Sequence, residues 1–446
     1  MKKTLNSLYY YFSFALIVFL PFQSLLLSVF QDKLLLSPSV SFWLAHWYEP
    51  VIILLLILAA IFTVRDAIEN YKTSHSVRRI TANWSSLLLT LFGLISAVFF
   101  SPTLGRGIEG FRFDLLPVLI FILISLQNIP KDKTKILLKT YVAMAIAMAV
   151  WAIAERFLPP NYWANLGLSF HGYGYFGFGK FSFGVLNQSA SFIGGPNQLG
   201  SYLLSAVFIV LYCSNVVRTG IKETSYLTRR ILPWLVLIIL IAGIFLSFSR
   251  SAWVGGIVGL LAYIVFYIKN LKLKFSLTGT LLILLLALFI AYKNIPAVRD
   301  IMIHSSADDN GTSSQDSHNE ALGQSLKELK GRNATELIFG SGVGMAGPAA
   351  IKYSDGIVSE SWYIQLLLEM GLIGLALWLV FVGGLLANIY KKNPALFLSL
   401  LAVSVTALFL HTWADNPAVA ITLMLLIGAN YQLSIFNDQS ITKLKK

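Results

Sequence analysis

Residues 275–292 read FSLTGTLLILLLALFIAY, a run without one charged side chain, bracketed by Lys274 and Lys293. Wound as an α-helix it is about 27 Å long, close to the ~30 Å hydrocarbon thickness of a bilayer. Its apolar residues occupy every side rather than one stripe, so its natural solvent is lipid. The rest of the 446-residue chain agrees: 56% of it is hydrophobic, 13% aromatic and only 12% charged, where soluble domains carry roughly a quarter charged residues. A soluble fold, a disordered chain, a collagen-like chain and a disulfide scaffold are all excluded. The single cysteine, Cys213, lies inside an apolar run and reads as a small core residue.

Working outward from 275–292, similar blocks fall near 8–30, 48–64, 86–101, 114–127, 136–158, 189–213, 231–248, 252–268, 362–390, 395–411 and 417–436. The expected fold class is therefore an all-α integral membrane protein of about 12 transmembrane helices. Blocks 86–101 and 114–127 are short for a bilayer and should extend into their flanks, whereas 362–390 is long enough to hold a turn at Gly371. The first block starts positively with Lys2 and Lys3, runs past the length of a signal-peptide core and lacks a small-residue cleavage site, so it reads as a retained helix.

The 34 Lys and Arg are distributed unevenly. Most of them, including Arg78, Arg79, Lys131, Lys133, Arg229, Arg230, Lys272, Lys391 and Lys392, fall in alternate short loops. The positive-inside rule then makes those loops and both termini cytoplasmic. It also absorbs most of the net charge of +13 without a nucleic-acid partner. Two longer loops, 159–188 and 293–361, face outward, the second between helices 9 and 10. The organisation expected is an N-terminal part, 1–188, holding helices 1–5 and an outer loop, and a second part, 189–446, holding helices 6–12.

Chemistry is expected on the outer side. Positions 171–180, His-Gly-Tyr-Gly-Tyr-Phe-Gly-Phe-Gly-Lys, suit the membrane interface or stacking on sugar rings. Within 318–330, Ala321, Leu322, Leu326 and Leu329 recur at helical spacing and predict a helix lying on the outer face. Phe248-Ser249-Arg250-Ser251-Ala252-Trp253 puts an arginine between two helices with almost no loop. It is either a residue snorkelling to headgroups or a fork suited to phosphate, and Gly255 and Gly256 permit the close packing that favours a buried one. Gly194-Gly195-Pro196-Asn197-Gln198-Leu199-Gly200 breaks a helix, as a kink or as a ligand site. Phe339-Gly340-Ser341-Gly342-Val343-Gly344 lacks the Lys-Ser/Thr of a nucleotide loop. Glu360, at the mouth of the next helix, reads either as a carboxylate favoured by the helix dipole or as a base with a pKa raised by partial burial.

Taken in order, Ser249 to Trp253, Phe339 to Gly344, Glu360-Ser361-Trp362-Tyr363-Ile364-Gln365 and Gly371-Leu372-Ile373-Gly374 resemble the O-antigen ligase and polymerase superfamily of bacterial envelope enzymes. The resemblance covers about 190–385. It implies a lipid-diphosphate-linked glycan donor, no metal or nucleotide sugar at the site, and Arg250 holding the diphosphate. Ligases of the superfamily carry His-Asn-x-Tyr-Leu, and aligning that tyrosine on Tyr363 puts Glu360 and Ser361 where His and Asn stand. The Glu-Ser version resembles polysaccharide polymerases.

The implied activity is polymerisation of undecaprenyl-diphosphate-linked oligosaccharides on the outer face of the bacterial cytoplasmic (inner) membrane, by direct attack with inversion. Arg156, Lys180, Asn197 and Tyr363 would assist Arg250 in binding substrate. Glu360 would be the base, with His318 second. A chain-length regulator protein is an implied partner. The alternatives are ligation of the glycan to lipid A core or to protein, and, from another class, a transporter, whose two similar halves this chain does not show.

Overall fold

The computed structural model describes residues 2–69, 84–127, 129–159, 162–168, 182–183, 186–187, 189–220, 231–296, 298–299, 314–354, 356–415 and 417–443. Helices dominate it. In chain order those of six residues or more are α1 (Lys2–Phe19), α2 (Gln23–Ser28), α3 (Pro38–Ala45), α4 (Tyr48–Glu69), α5 (Trp84–Ile95), α6 (Leu104–Ser125), α7 (Lys131–Ala154) and α8 (Pro196–Gly220). Then follow α9 (Leu232–Leu246), α10 (Arg250–Tyr267), α11 (Leu271–Asn294), α12 (Ser314–Gly331), α13 (Ala334–Phe339), α14 (Trp362–Ile389), α15 (Pro394–Thr406) and α16 (Pro417–Lys443). A two-residue antiparallel ladder pairs Ser182–Phe183 with Leu186–Asn187.

Every apolar block contains a helix. By length and hydropathy alone, five segments of the described residues are long enough to cross a membrane: Asn6–Lys33, Lys131–Phe157, Arg250–Tyr267, Leu271–Asn294 and Trp362–Ile389. The pair Pro38–Ala45 and Tyr48–Ala59, bent by 50°, would make a sixth, and four shorter apolar helices accompany them. Block 114–127 extends as expected, back to Leu104, by taking in Arg106, Glu109 and Arg112. Block 86–101 is completed by a π-turn over Ser96–Phe100. Block 189–213 differs, because its helix begins only at Pro196. Before it, the Ser189 and Ser191 hydroxyls donate to the Ala152 and Met148 carbonyls at 2.8 and 3.0 Å, and Gly194 takes a left-handed φ of 89°. Small hydroxylated residues thus hold an irregular segment where hydrophobicity alone extends a helix.

Caps set several ends. Asn270 and Asn393 accept from the N–H groups of Leu273 and Leu396, both at 3.2 Å, and Pro394 fills a first-turn position that needs no donor. The interior is built on rings: Trp378 packs edge-on against Trp362 and Trp413, with centroids at 5.0 and 5.4 Å, and Phe121 packs on Phe381 and Tyr431 at 5.4 and 5.5 Å. α11 is the opposite case. It exposes Leu282, Ile283, Leu284, Leu286 and Phe289, up to 68% for Ile283. An apolar helix so little covered by protein requires an apolar solvent.

α10 and α15 run antiparallel in close contact. A Cβ on Gly255 would stand 2.7 Å from the Ala402 carbonyl oxygen and 2.8 Å from Thr406, while the Tyr267 hydroxyl donates to the Tyr390 carbonyl near the other end. The Trp362 N–H at the start of α14 donates to the Ala407 and Leu410 carbonyls just beyond α15. Arg250, Trp362 and the turn after α15 therefore share one end of the bundle.

Candidate active site

At that end α14 is broken. Gly371 adopts φ 62° and ψ −163°, which detaches Trp362–Met370 from the rest of the helix. The turn expected in block 362–390 is thus present. Breaking a helix orphans carbonyls, and here each of three has a partner. Leu368 O accepts from Ser341 N at 3.0 Å and from Arg332 Nη1 at 2.6 Å, Leu367 O from Arg332 Nη1 at 3.3 Å, and Glu369 O from Gly342 N at 3.0 Å and Ser96 Oγ at 3.3 Å. The Glu369 carboxylate accepts from the Gly344 and Ala346 N–H groups, both at 2.9 Å. Gln365 Nε2 joins it to buried Asp114, with 2.8 Å to Asp114 Oδ1 and 3.4 Å to Glu369 Oε2.

This explains the glycines of 340–344. They bring loop backbone against helix backbone: a Cβ on Gly340, at φ 80°, would lie 2.2 Å from Glu369 O. Their nest of N–H groups holds a carboxylate of the chain itself.

The short strap Ser359-Glu360-Ser361 spans from this loop to α14. Its backbone rests on the turn after α15: Trp362 N donates to Ala407 O at 3.1 Å and Leu410 O at 3.2 Å, and His411 Nδ1 bonds Ser359 O at 2.9 Å. Glu360 reaches α12. Its Oε2 lies 3.1 Å from His318 Nδ1 on α12, with 22% and 30% of the two side chains exposed. The helix expected over 318–330 is thus present, and it delivers a histidine to the strap.

The pKa of Glu360 departs from the sequence expectation. Burial pushes it up, but the hydrogen bond and charge of His318 and the charge of His411 together hold it below its ordinary value. A raised pKa, expected from a partly buried carboxylate at a helix mouth, is overturned by two imidazoles that sequence spacing did not bring near it. Nor does Glu360 cap α14, whose N-cap is Ser361.

Arg250 is the first residue of α10 and half-buried. The chain enters it through buried Phe248, at φ 51°, and a serine cluster: Ser247 Oγ donates to Ile244 O at 2.7 Å, and the Ser249 and Ser251 hydroxyls meet at 3.1 Å. Gly200 of the second motif packs on this turn, its notional Cβ 2.8 Å from Ser249 Cβ and 2.9 Å from Ala252 Cβ. Ser189 N donates to Leu246 O at 3.0 Å and its hydroxyl to Ala152 O, so the C-terminal end of α7, followed by the turn Glu155–Phe157 with half-buried Arg156, is tied to the Arg250 turn. Asn197 is half-buried in the first turn of α8. The Tyr363 hydroxyl donates to Ser404 O at 2.9 Å and is thus engaged within the fold. Lys180 and the run 171–180 lie outside the described residues.

Three residues that shape the site were not singled out in the sequence: His411, Arg332 and Glu369. Glu369 stands two residues before Gly371, but a carboxylate gives no sign of its backbone partners. A lone histidine at the edge of an apolar block was the only trace of His411.

Fold and site define a polytopic helical protein of membrane type with an arginine and a histidine–carboxylate pair at one end of the bundle. Residues 235–332 match the family model described as O-Antigen ligase, and over that stretch the resemblance to the O-antigen ligase and polymerase superfamily is shown. The matched stretch is narrower than 190–385; it includes Arg250 and His318 and stops short of Glu360. No curated protein matches the chain.

Proposed function

We propose that this chain is a twelve-span glycosyltransferase of the bacterial cytoplasmic membrane that polymerises undecaprenyl-diphosphate-linked oligosaccharides on the outer face. The observation that carries the reading is the contact of His318 Nδ1 with Glu360 Oε2 at the bundle end that also bears Arg250.

The pair shares the labour for which the sequence offered Glu360 first and His318 second. A carboxylate held low in pKa is a weak base but a good partner for an Nδ1–H, and it leaves the lone pair on His318 Nε2. An acceptor sugar hydroxyl gives its proton to Nε2 while its oxygen bonds the donor anomeric carbon. The bond from that carbon to the diphosphate breaks, and the diphosphate departs with the bonding electrons. Arg250, with Arg156 and Lys180, neutralises the leaving group, while Asn197 and Tyr363 help bind the substrate. Direct displacement inverts the anomeric centre. Residues 1–188 and 189–446 would be the two parts of this machine, with a chain-length regulator as a further partner.

The test is turnover of purified lipid-linked oligosaccharide by the purified protein. His318→Ala and Arg250→Ala should each be inactive while remaining folded in detergent, and full activity in either sinks the reading. One observation favours a second reading: the matching family is described as O-Antigen ligase, and His318 restores an imidazole to a strap that has Glu360 where ligases have histidine. Adding lipid A core as acceptor separates the two. A ladder of repeats on the lipid carrier is the polymerase outcome, and glycan on the core is the ligase outcome.

A further inference from the structure

The arch from Ser359 to Trp362 has two feet, both on the turn that follows α15. One foot is backbone on backbone, Trp362 N to Ala407 O and Leu410 O. The other is the imidazole of His411, whose Nδ1 meets Ser359 O at 2.9 Å. A carbonyl oxygen only accepts, so Nδ1 carries the proton and the tautomer of His411 is fixed. Glu360 stands between the two feet and reaches across to His318. Two charged or titratable groups from two packed elements act on its carboxylate: His318 from α12 and His411 from the turn.

We propose that His411 is a positioning residue for the transferase site: it pins the strap at Ser359 and so aims the Glu360 carboxylate at His318. This rests on reading His318 and Glu360 as the base pair of the reaction. Misplacing a catalytic group by about 1 Å costs on the order of 10²-fold in rate, so a side chain that sets where Glu360 lies has leverage without touching substrate. When its ring is protonated, His411 also places positive charge near Glu360. Removing that charge lets Glu360 protonate at higher pH.

The experiment compares His411→Ala and His411→Asn in the full-length protein, with lipid-linked oligosaccharide as donor. Asparagine places an amide N–H close to where Nδ1 was and carries no charge; alanine lacks both functions. His411→Ala should lose about 10²-fold in kcat with little change in KM for donor. His411→Asn should recover at least about 10-fold of that loss. Both should move the acid limb of the kcat/KM profile to higher pH, which a merely structural side chain would not do. Wild-type kcat and an unmoved acid limb in His411→Ala overturn the proposal. Equal inactivity of the two variants with both folded also overturns it, because the imidazole itself would then be the reacting group. If alanine prevents folding, the pH profile of His411→Asn decides. Full activity in His318→Ala and Glu360→Gln would instead remove the base pair, and this inference with it.

Discussion

Glu360 is a residue whose chemistry is set by its neighbours. Its lowered pKa means that the stability its carboxylate charge gains from the fold is fully present above the ordinary value of 4.5 and is lost as pH falls through the lowered one. Glu360→Gln keeps the shape and an acceptor for Nδ1 but removes the charge that stabilises the imidazolium; turnover should fall by about 10²–10⁴-fold, the usual range for such groups. Normal turnover in Glu360→Gln, measured on lipid-linked donor, would mean that the pair is structural. Arg250 makes a separate demand. Its planar fork can hold two phosphate oxygens at once, so Arg250→Lys should restore only part of the turnover lost in Arg250→Ala, with KM for the donor above wild type. Complete rescue by lysine would reduce the fork to a point charge.

At the scale of elements, the break in α14 and the loop 340–347 form one unit. Gly340 and Gly371 are both at positive φ, and a Cβ on either would come within 2.2 or 2.4 Å of a carbonyl oxygen. Gly340→Ala or Gly371→Ala should cost at least about 2 kcal/mol, since left-handed strain alone is about 1–3. Gly323 is the control. It lies on the exposed face of α12 with nothing within 4 Å, so alanine there should stabilise by up to about 1 kcal/mol. Thermal unfolding in detergent measures all three, and equal shifts would mean that the loop is not clamped as described. Glu369→Ala leaves the Gly344 and Ala346 N–H groups without their acceptor and should lower the same midpoint.

At the scale of the molecule, the proposed topology is open to direct labelling. In a background with Cys213 replaced, an impermeant maleimide applied from outside should reach Gly323→Cys on α12, and Lys391→Cys only after the membrane is permeabilised. Both positions are exposed. The opposite pattern would turn the bundle over and carry His318 and Arg250 away from the outer face.

Much of this protein is legible in its sequence wherever one stretch of chain suffices to decide the outcome. Uncharged runs such as 275–292 dictate helices in lipid, the spacing of Leu322, Leu326 and Leu329 dictates a surface helix, and a glycine in a long apolar run marks the break at Gly371. The arginine at the junction of two helices is visible for the same reason. Tertiary structure alone decided who meets whom. His318 meets Glu360 because α12 folds back over the strap, Arg332 caps carbonyls that a distant break exposes, and His411 reaches Ser359 because α15 ends beneath it. Periodicity and hydropathy are properties of neighbours along the chain, whereas these contacts join segments that only helix packing brings together. The reversal of the expected Glu360 shift has the same origin: burial is local enough to anticipate, but the two imidazoles that outweigh it arrive from other parts of the fold.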